Sequence, residues 1–381
     1  MHENRTSNTG IKGVLQWIGL DLSGDGGSSG LQIGIYAMLV FFPVALIVKF
    51  AGIGGPWLFI TSALAIIPLA KILSASTEQL VTRVGPGVGG LLNATFSNAV
   101  EMIIAFFALN AGLFEVVRAS ISGAIIGNVL FVLGLSFFLG GMKRDKQVFN
   151  RTASGVTGSQ LILAATALLI PTAFVLTIPP TTAIGDLKEE LSIGIALILL
   201  LAYVAQMIFF LRTHKHLYEN STEEPTEEIW PIKHSVTLLL IVTVLVGVMA
   251  DILVEGLDYL TKTLGLTELF VGVILIALVG SAAENVTAVV MAMKNKMDLA
   301  LNIAMSSTLQ IALFVAPVLV LLGLAIGKPF DLVFNTFEVV AVFVTMLIAN
   351  AITHDGESNW FEGVQLLAAY AIIAIAFFFH P

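Results

Sequence analysis

Apolar runs dominate this chain, and polar residues are confined to short breaks between them. From Leu31 onward, eleven runs are long enough to cross about 30 Å of hydrocarbon. They are centred in 31–50, 56–76, 88–112, 115–140, 156–178, 191–212, 235–256, 267–293, 297–326, 334–352 and 361–379. Barrel strands would be about ten residues long with alternating polarity. These runs are longer and do not alternate, so the pattern predicts an all-α membrane protein with eleven transmembrane helices. Residues 1–30 are polar and glycine-rich and lack the charged-then-apolar order of a secretory signal, which predicts a flexible N-terminal tail.

The longest polar break separates the sixth and seventh runs. It carries Glu219, Glu223, Glu224, Glu227 and Glu228 around Pro225 and predicts an acidic linker over 213–234. The layout is then a first helix at 31–50, a five-helix unit at 56–212 and a second five-helix unit at 235–379. Five is odd, so two similar units would sit in the bilayer with opposite topology. Lysine and arginine agree with this threading. Thirteen fall on the side of the N-terminus and five on the other, which puts the N-terminus in the cytoplasm and the C-terminus outside.

Composition narrows the function classes. Of 381 residues, 57% are hydrophobic and only 12% charged, with a mean hydropathy of +0.95. A soluble domain carries about 25% charged residues. The net charge of -8 comes without a basic patch, which argues against nucleic-acid binding. Cysteine is absent, so disulfides, thiolate metal sites and cysteine nucleophiles are excluded. No cofactor is called for. The partners to expect are a lipid bilayer and small ions, and a homo-oligomer is compatible with both.

The two units resemble each other in sequence. At an offset of 183, Ala99, Glu101, Ala105 and Leu130-Phe131-Val132 recur as Ala282, Glu284, Ala288 and Leu313-Phe314-Val315. At an offset of 180, Ala70, Ile72, Leu73, Leu80 and Gly85 recur as Ala250, Ile252, Leu253, Leu260 and Gly265. Inverted repeats of this kind place a substrate site near the midplane, between the halves.

Glu101 and Glu284 lie deep in their runs, where an ionisable group costs about 3 kcal/mol or more. Helical spacing sets Glu101 beside Asn98 and Glu284 beside Ser281. Two carboxylates flanked by neutral oxygens suit a hard cation such as Ca²⁺. Without a cation the two acids resist charging together, so protons occupy the site until a divalent ion displaces them. Cation-for-proton exchange follows from that competition. The bland alternative is a pair of protonated, structural glutamates. Asn128, Ser306 and Gln310 could supply further oxygens or simply bond between helices. Glu78 could line a mouth, with interface placement the favoured reading. Asp251, Glu255, Glu268, Asp298, Glu338 and Asp355 sit near predicted ends and read as solvated.

The stretches Gly89-Gly90-Leu91-Leu92-Asn93-Ala94-Thr95-Phe96-Ser97-Asn98-Ala99-Val100-Glu101 and Gly280-Ser281-Ala282-Ala283-Glu284-Asn285-Val286-Thr287 resemble the calcium/cation:proton exchangers, the CAX branch of the cation/calcium antiporter superfamily. So does the run from Asn295 to Ile311. The resemblance covers roughly residues 31–379. It implies one extra helix followed by two inverted five-helix repeats with an acidic helix between them. It also implies exchange of cytosolic Ca²⁺, the transported substrate, for protons by alternating access, with Glu101 and Glu284 as the metal- and proton-binding ligands. Asn98, Ser281, Ser306 and Gln310 take the neighbouring polar positions. The family pattern has Gly-Asn before each Ala-x-Glu. Here Ser97-Asn98 and Gly280-Ser281 stand there, so one amide is replaced by a shorter hydroxyl. Exchange of another cation, Na⁺/Ca²⁺ or Na⁺/H⁺, is the runner-up. An intramembrane hydrolase lacks its paired aspartates or serine–base set, and a channel would need no counter-ion.

Overall fold

A computed structural model describes residues 26–84, 89, 92–93, 95–179, 185–214 and 230–380. Among the described residues the chain is nearly all helical. Its one sheet is the two-residue antiparallel pair β1 (Gln147–Val148) and β2 (Glu357–Ser358). Eight helices are long and apolar enough to cross a membrane. They are α1 (Gln32–Phe50), α2 (Pro56–Val84), α4 (Phe114–Gly141), α5 (Arg151–Thr177), α6 (Gly185–Thr213), α7 (Ile232–Leu264), α10 (Met297–Ala325) and α12 (Trp360–Phe379). A bent pair, α8 (Glu268–Gly280) and α9 (Ala282–Met293), makes a ninth if counted as one span. Two shorter apolar helices, α3 (Ala99–Asn110) and α11 (Thr336–Ile352), complete the set.

Two runs differ from the expectation of straight rods. The run over 88–112 is interrupted by a turn at Ser97–Asn98. The run over 267–293 bends by 64° at Ser281. Asn98 (φ −103°, ψ 23°) and Ser281 (φ −91°, ψ 8°) leave helical geometry, which hydropathy does not register. Helical backbone already starts at Gly26, ahead of the apolar span α1 and inside the stretch read as a tail over 1–30. The acidic residues Glu219, Glu223, Glu224, Glu227 and Glu228 lie outside the described residues, between α6 and α7.

Helix α4 is packed on nearly all sides, whereas α6 and α12 turn large apolar groups such as Leu201, Ile198 and Ile372 outward. That division suits a lipid-facing rim around a polar-bearing centre, because backbone polar groups in hydrocarbon must be satisfied internally. Helices α2 and α7 lie close together: a β-carbon on Gly256 would meet the Phe59 nitrogen at 2.6 Å. Lys49 at the end of α1 ties to α7 through Asp251 (2.9 Å) and Glu255 (3.1 Å). Helices α4 and α10 each contain a π-helical turn, Gly127–Val132 and Ile311–Val315. Such insertions of one extra residue often accompany functional positions.

Glu338 departs from its reading as a solvated helix end. It is 2% exposed. Its carboxylate accepts from the Ser122 hydroxyl at 2.6 Å and from the Asn335 N–H at 2.9 Å. Asn335 in turn caps α11 in a reciprocal capping box. The N-terminal turn of α11 is thereby pinned to α4 inside the protein.

Candidate functional site

The two intramembrane glutamates occupy equivalent local positions. Helices α3 and α9 are each twelve residues long. They begin at Ala99 and Ala282, a difference of 183 positions. Each has its glutamate at the third residue, Glu101 and Glu284. Each is followed by a left-handed residue, Gly112 (φ 81°) and Asn295 (φ 63°), again 183 apart. The next helices, α4 and α10, begin at Phe114 and Met297 with the same offset. A helix's first turn leaves N–H groups without intrahelical partners and carries partial positive charge. Both carboxylates therefore sit where broken helices favour negative charge in mid-protein. Neither Asn98 nor Ser281 uses its side chain as a cap.

Asn98 is fully buried and joins the two halves of the chain. Its amide nitrogen donates to Gln310 Oε1 and to Ser97 Oγ (3.2 Å). Ser97 Oγ also donates to Gln310 Oε1 at 2.6 Å. On the other side, Asn98 Oδ1 accepts from Ser307 Oγ at 3.2 Å. Ser307 accepts from Asn128 Nδ2 at 3.1 Å and lines the same cavity as Glu284. A hydroxyl has one proton, so while Ser307 donates to Asn98 it cannot donate to Glu284. Polar groups from α4, α10 and the turn before α3 thus converge beside Glu284 of α9.

A cavity of about 140 Å³ adjoins this network. Glu78, Ser97, Glu284, Thr287, Ser306 and Gln310 are among its lining residues. Exposed Glu78 lines it, the less favoured of the two sequence readings. The volume holds several waters or a hydrated cation, since a single water needs about 10–15 Å³ by the same measure.

Glu101 faces a different space. It borders a cavity of about 20 Å³ whose other walls are mostly apolar, including Ile104, Ile121, Ala124, Ile276 and Val315. Both its carboxylate oxygens are buried with no hydrogen-bond partner among the described residues, as is Oε2 of Glu284. The two glutamates are within electrostatic reach of each other.

Sequence reasoning named Gln310, Asn98, Asn128 and Ser306, and the fold gathers the first three into one network. Ser306 lines the cavity, its hydroxyl turned 3.4 Å from the Ile303 carbonyl of its own helix. Ser281 is placed differently. Its hydroxyl donates to the Ala277 carbonyl at 2.8 Å and accepts from Asn285 Nδ2 at 3.1 Å. Ser307, Thr287 and Glu78 were not singled out as site residues. Ser307 stands one residue from Ser306, and only the 100° step between helix neighbours separates their directions. No group of three or more His, Cys, Asp or Glu side chains able to hold a metal occurs among the described residues. A Ca²⁺ ion takes six to eight oxygens, so amide, hydroxyl and water oxygens have to complete any shell here.

The sodium/calcium exchanger protein family matches the chain twice, over residues 54–212 and 234–379. The chain belongs to this family. A Ca(2+)/H(+) antiporter of Synechocystis sp. is 46% identical to this chain over 362 residues, covering 90% of this chain and 96% of that protein. The Ca(2+)/H(+) antiporter ChaA of Bacillus subtilis is 42% identical over 357 residues, covering 92% and 97%. The solved structure of native YfkE superposes with a TM-score of 0.79 at 40% identity, covering 91% of this chain and all of that one. The H+/Ca2+ exchanger CAX has the same fold, with a TM-score of 0.65 at 17% identity over 91% of each chain. This exchanger falls in the CAX branch and is an integral membrane transporter, not an enzyme.

Proposed function

We propose that this chain exchanges Ca²⁺ for protons across a membrane by alternating access, with Glu101 and Glu284 binding both ions in turn. The observation that carries the reading is the pair of buried carboxylates at the starts of α3 and α9, one beside a polar-lined cavity and one beside an apolar one. Similarity to relatives named Ca(2+)/H(+) antiporters at 46% and 42% identity supports the choice of ions.

The constant offset of 183 residues and the double family match support two inverted five-helix repeats, 56–212 and 235–379, after a first helix. Counting α3 with the turn before it and the bent α8–α9 pair as spans gives eleven. The lysine and arginine bias then sets the cavity at Glu78, the linker 213–234 and the N-terminus on the cytoplasmic side, with the C-terminus outside.

The Ser307 hydroxyl suggests how proton and cation exclude each other. A protonated Glu284 donates its own proton to Ser307, and Ser307 donates to Asn98 Oδ1. An ionised Glu284 draws the Ser307 proton to itself and frees Asn98 Oδ1 as a neutral ligand. Cytoplasmic Ca²⁺ then meets one carboxylate and neutral oxygens from Asn98 and Gln310. Rearrangement of the halves exposes the ion to the far side, where protons replace it.

The test is proton-driven uptake of radiolabelled Ca²⁺ into inside-out vesicles. Glu101→Gln and Glu284→Gln should each abolish uptake at unchanged protein level. Uptake persisting in both variants defeats the assignment. Uptake driven by a Na⁺ gradient instead selects the Na⁺/Ca²⁺ reading.

A further inference from the structure

The C-terminal ends of the two glutamate helices are held by cations from the opposite half of the chain. Arg144 follows α4. Its guanidinium donates to the Met293 carbonyl at 3.0 Å, the last residue of α9, and to the Gly140 carbonyl at 2.6 Å. Lys328 follows α10, and its ammonium donates to the Asn110 carbonyl, the last residue of α3. Arg144 and Lys328 are 184 positions apart, within one residue of the offset that relates the helices they hold. The last turns of α4 and α10 each carry a glycine packed against this contact, Gly140 and Gly323, also 183 apart. A β-carbon on Gly140 would meet the Ala292 carbonyl at 2.9 Å, and one on Gly323 the Lys328 carbonyl at 2.7 Å. On the α9 side the buried Gln147 adds a second donor, to the Ala292 carbonyl at 2.9 Å.

The last carbonyls of a helix lack intrahelical donors and carry partial negative charge, so a cation there satisfies both needs. Helices α3 and α9 are short, about 18 Å at 1.5 Å per residue. A short helix held at its last turn moves as a rod, and its first turn carries the glutamate. We propose that Arg144 and Lys328 are a repeat-related pair of positioning residues, which set Glu284 and Glu101 by gripping the far ends of their helices. The cross-over matters: the loop after α4 positions the glutamate of the second half, and the loop after α10 that of the first. Each half thereby governs the other's acid. This role rests on the antiport reading for its effect on Ca²⁺, but not for its effect on the helices.

Two measurements on the full chain test it. The first is amide hydrogen exchange. Arg144→Met should speed exchange in α9 and leave α3 unchanged, and Lys328→Met should do the reverse. The second is Ca²⁺ uptake by the same variants in inside-out vesicles. The half-saturating Ca²⁺ concentration should rise about fivefold, the ratio for ~1 kcal/mol from a cation at a helix C-terminus, with maximal rate less affected. Arg144→Lys and Lys328→Arg should restore wild-type values, which also covers failure of the methionine variants to fold. Unchanged exchange in both helices overturns the grip. Altered exchange with unchanged half-saturation overturns the positioning role. If the wild-type chain moves no Ca²⁺, the antiport reading fails, and the helix-specific exchange pattern still decides the grip.

Discussion

Gly280 lies directly against Glu101: a β-carbon at Gly280 would stand 2.9 Å from Glu101 Cγ. The two residues come from different halves, and only hydrogen at position 280 leaves the glutamate its room. Gly280→Ala should force Glu101 or the end of α8 to shift. Overpacking of this size costs about 1–3 kcal/mol, so Ca²⁺ affinity should fall roughly five- to hundredfold. Gly34→Ala, with open space around it, should leave uptake unchanged. Vesicle uptake across Ca²⁺ concentrations measures both.

Ser307→Ala should be more harmful than Ser306→Ala, although the residues are neighbours. The first removes the shared partner of Asn98 and Asn128 on the cavity wall beside Glu284. Leaving buried polar groups unsatisfied costs about 1–3 kcal/mol. The second removes only a long contact to its own helix. Half-saturation for Ca²⁺ should separate them by roughly tenfold, and equal effects would remove Ser307 from the centre of the network.

Much of this was legible in the linear sequence, for a physical reason. Bilayer thickness and the cost of mid-membrane charge act on local stretches, so the apolar runs and the depth of Glu101 and Glu284 can be read residue by residue. The breaks at Asn98 and Ser281 were hidden because each is one residue of non-helical backbone inside an apolar run. The polar network was hidden because its contacts are remote: Asn98 and Gln310 are 212 positions apart. Glu338 misled because a helix terminus is usually wet, and here α4 covers it.

Glu338→Ala should lower stability by about 1–2 kcal/mol through the lost cap, since the Ser122 hydroxyl keeps the Ala119 carbonyl at 3.1 Å as acceptor. Glu338→Gln keeps one acceptor and should cost less. Thermal unfolding of the detergent-solubilised protein ranks the two. Equal midpoints for Glu338→Ala and wild type would contradict the buried pin between α4 and α11.

Lys49→Met should change stability by under ~1 kcal/mol, despite two ion pairs to α7. Its partners Asp251 and Glu255 are more than half exposed, and water screens such pairs. The same unfolding assay measures it.

The widened turns in α4 and α10 set the phase of everything beyond them. An α-helix advances 100° per residue, so each inserted residue acts as an angular offset between the two ends of its helix. Asn128 and Gln310 stand at the seam, and the apolar residues that follow are aimed by that offset. Excising a single residue from either turn would leave composition and hydropathy almost untouched, yet swing the remainder of the helix through more than a quarter of a circle.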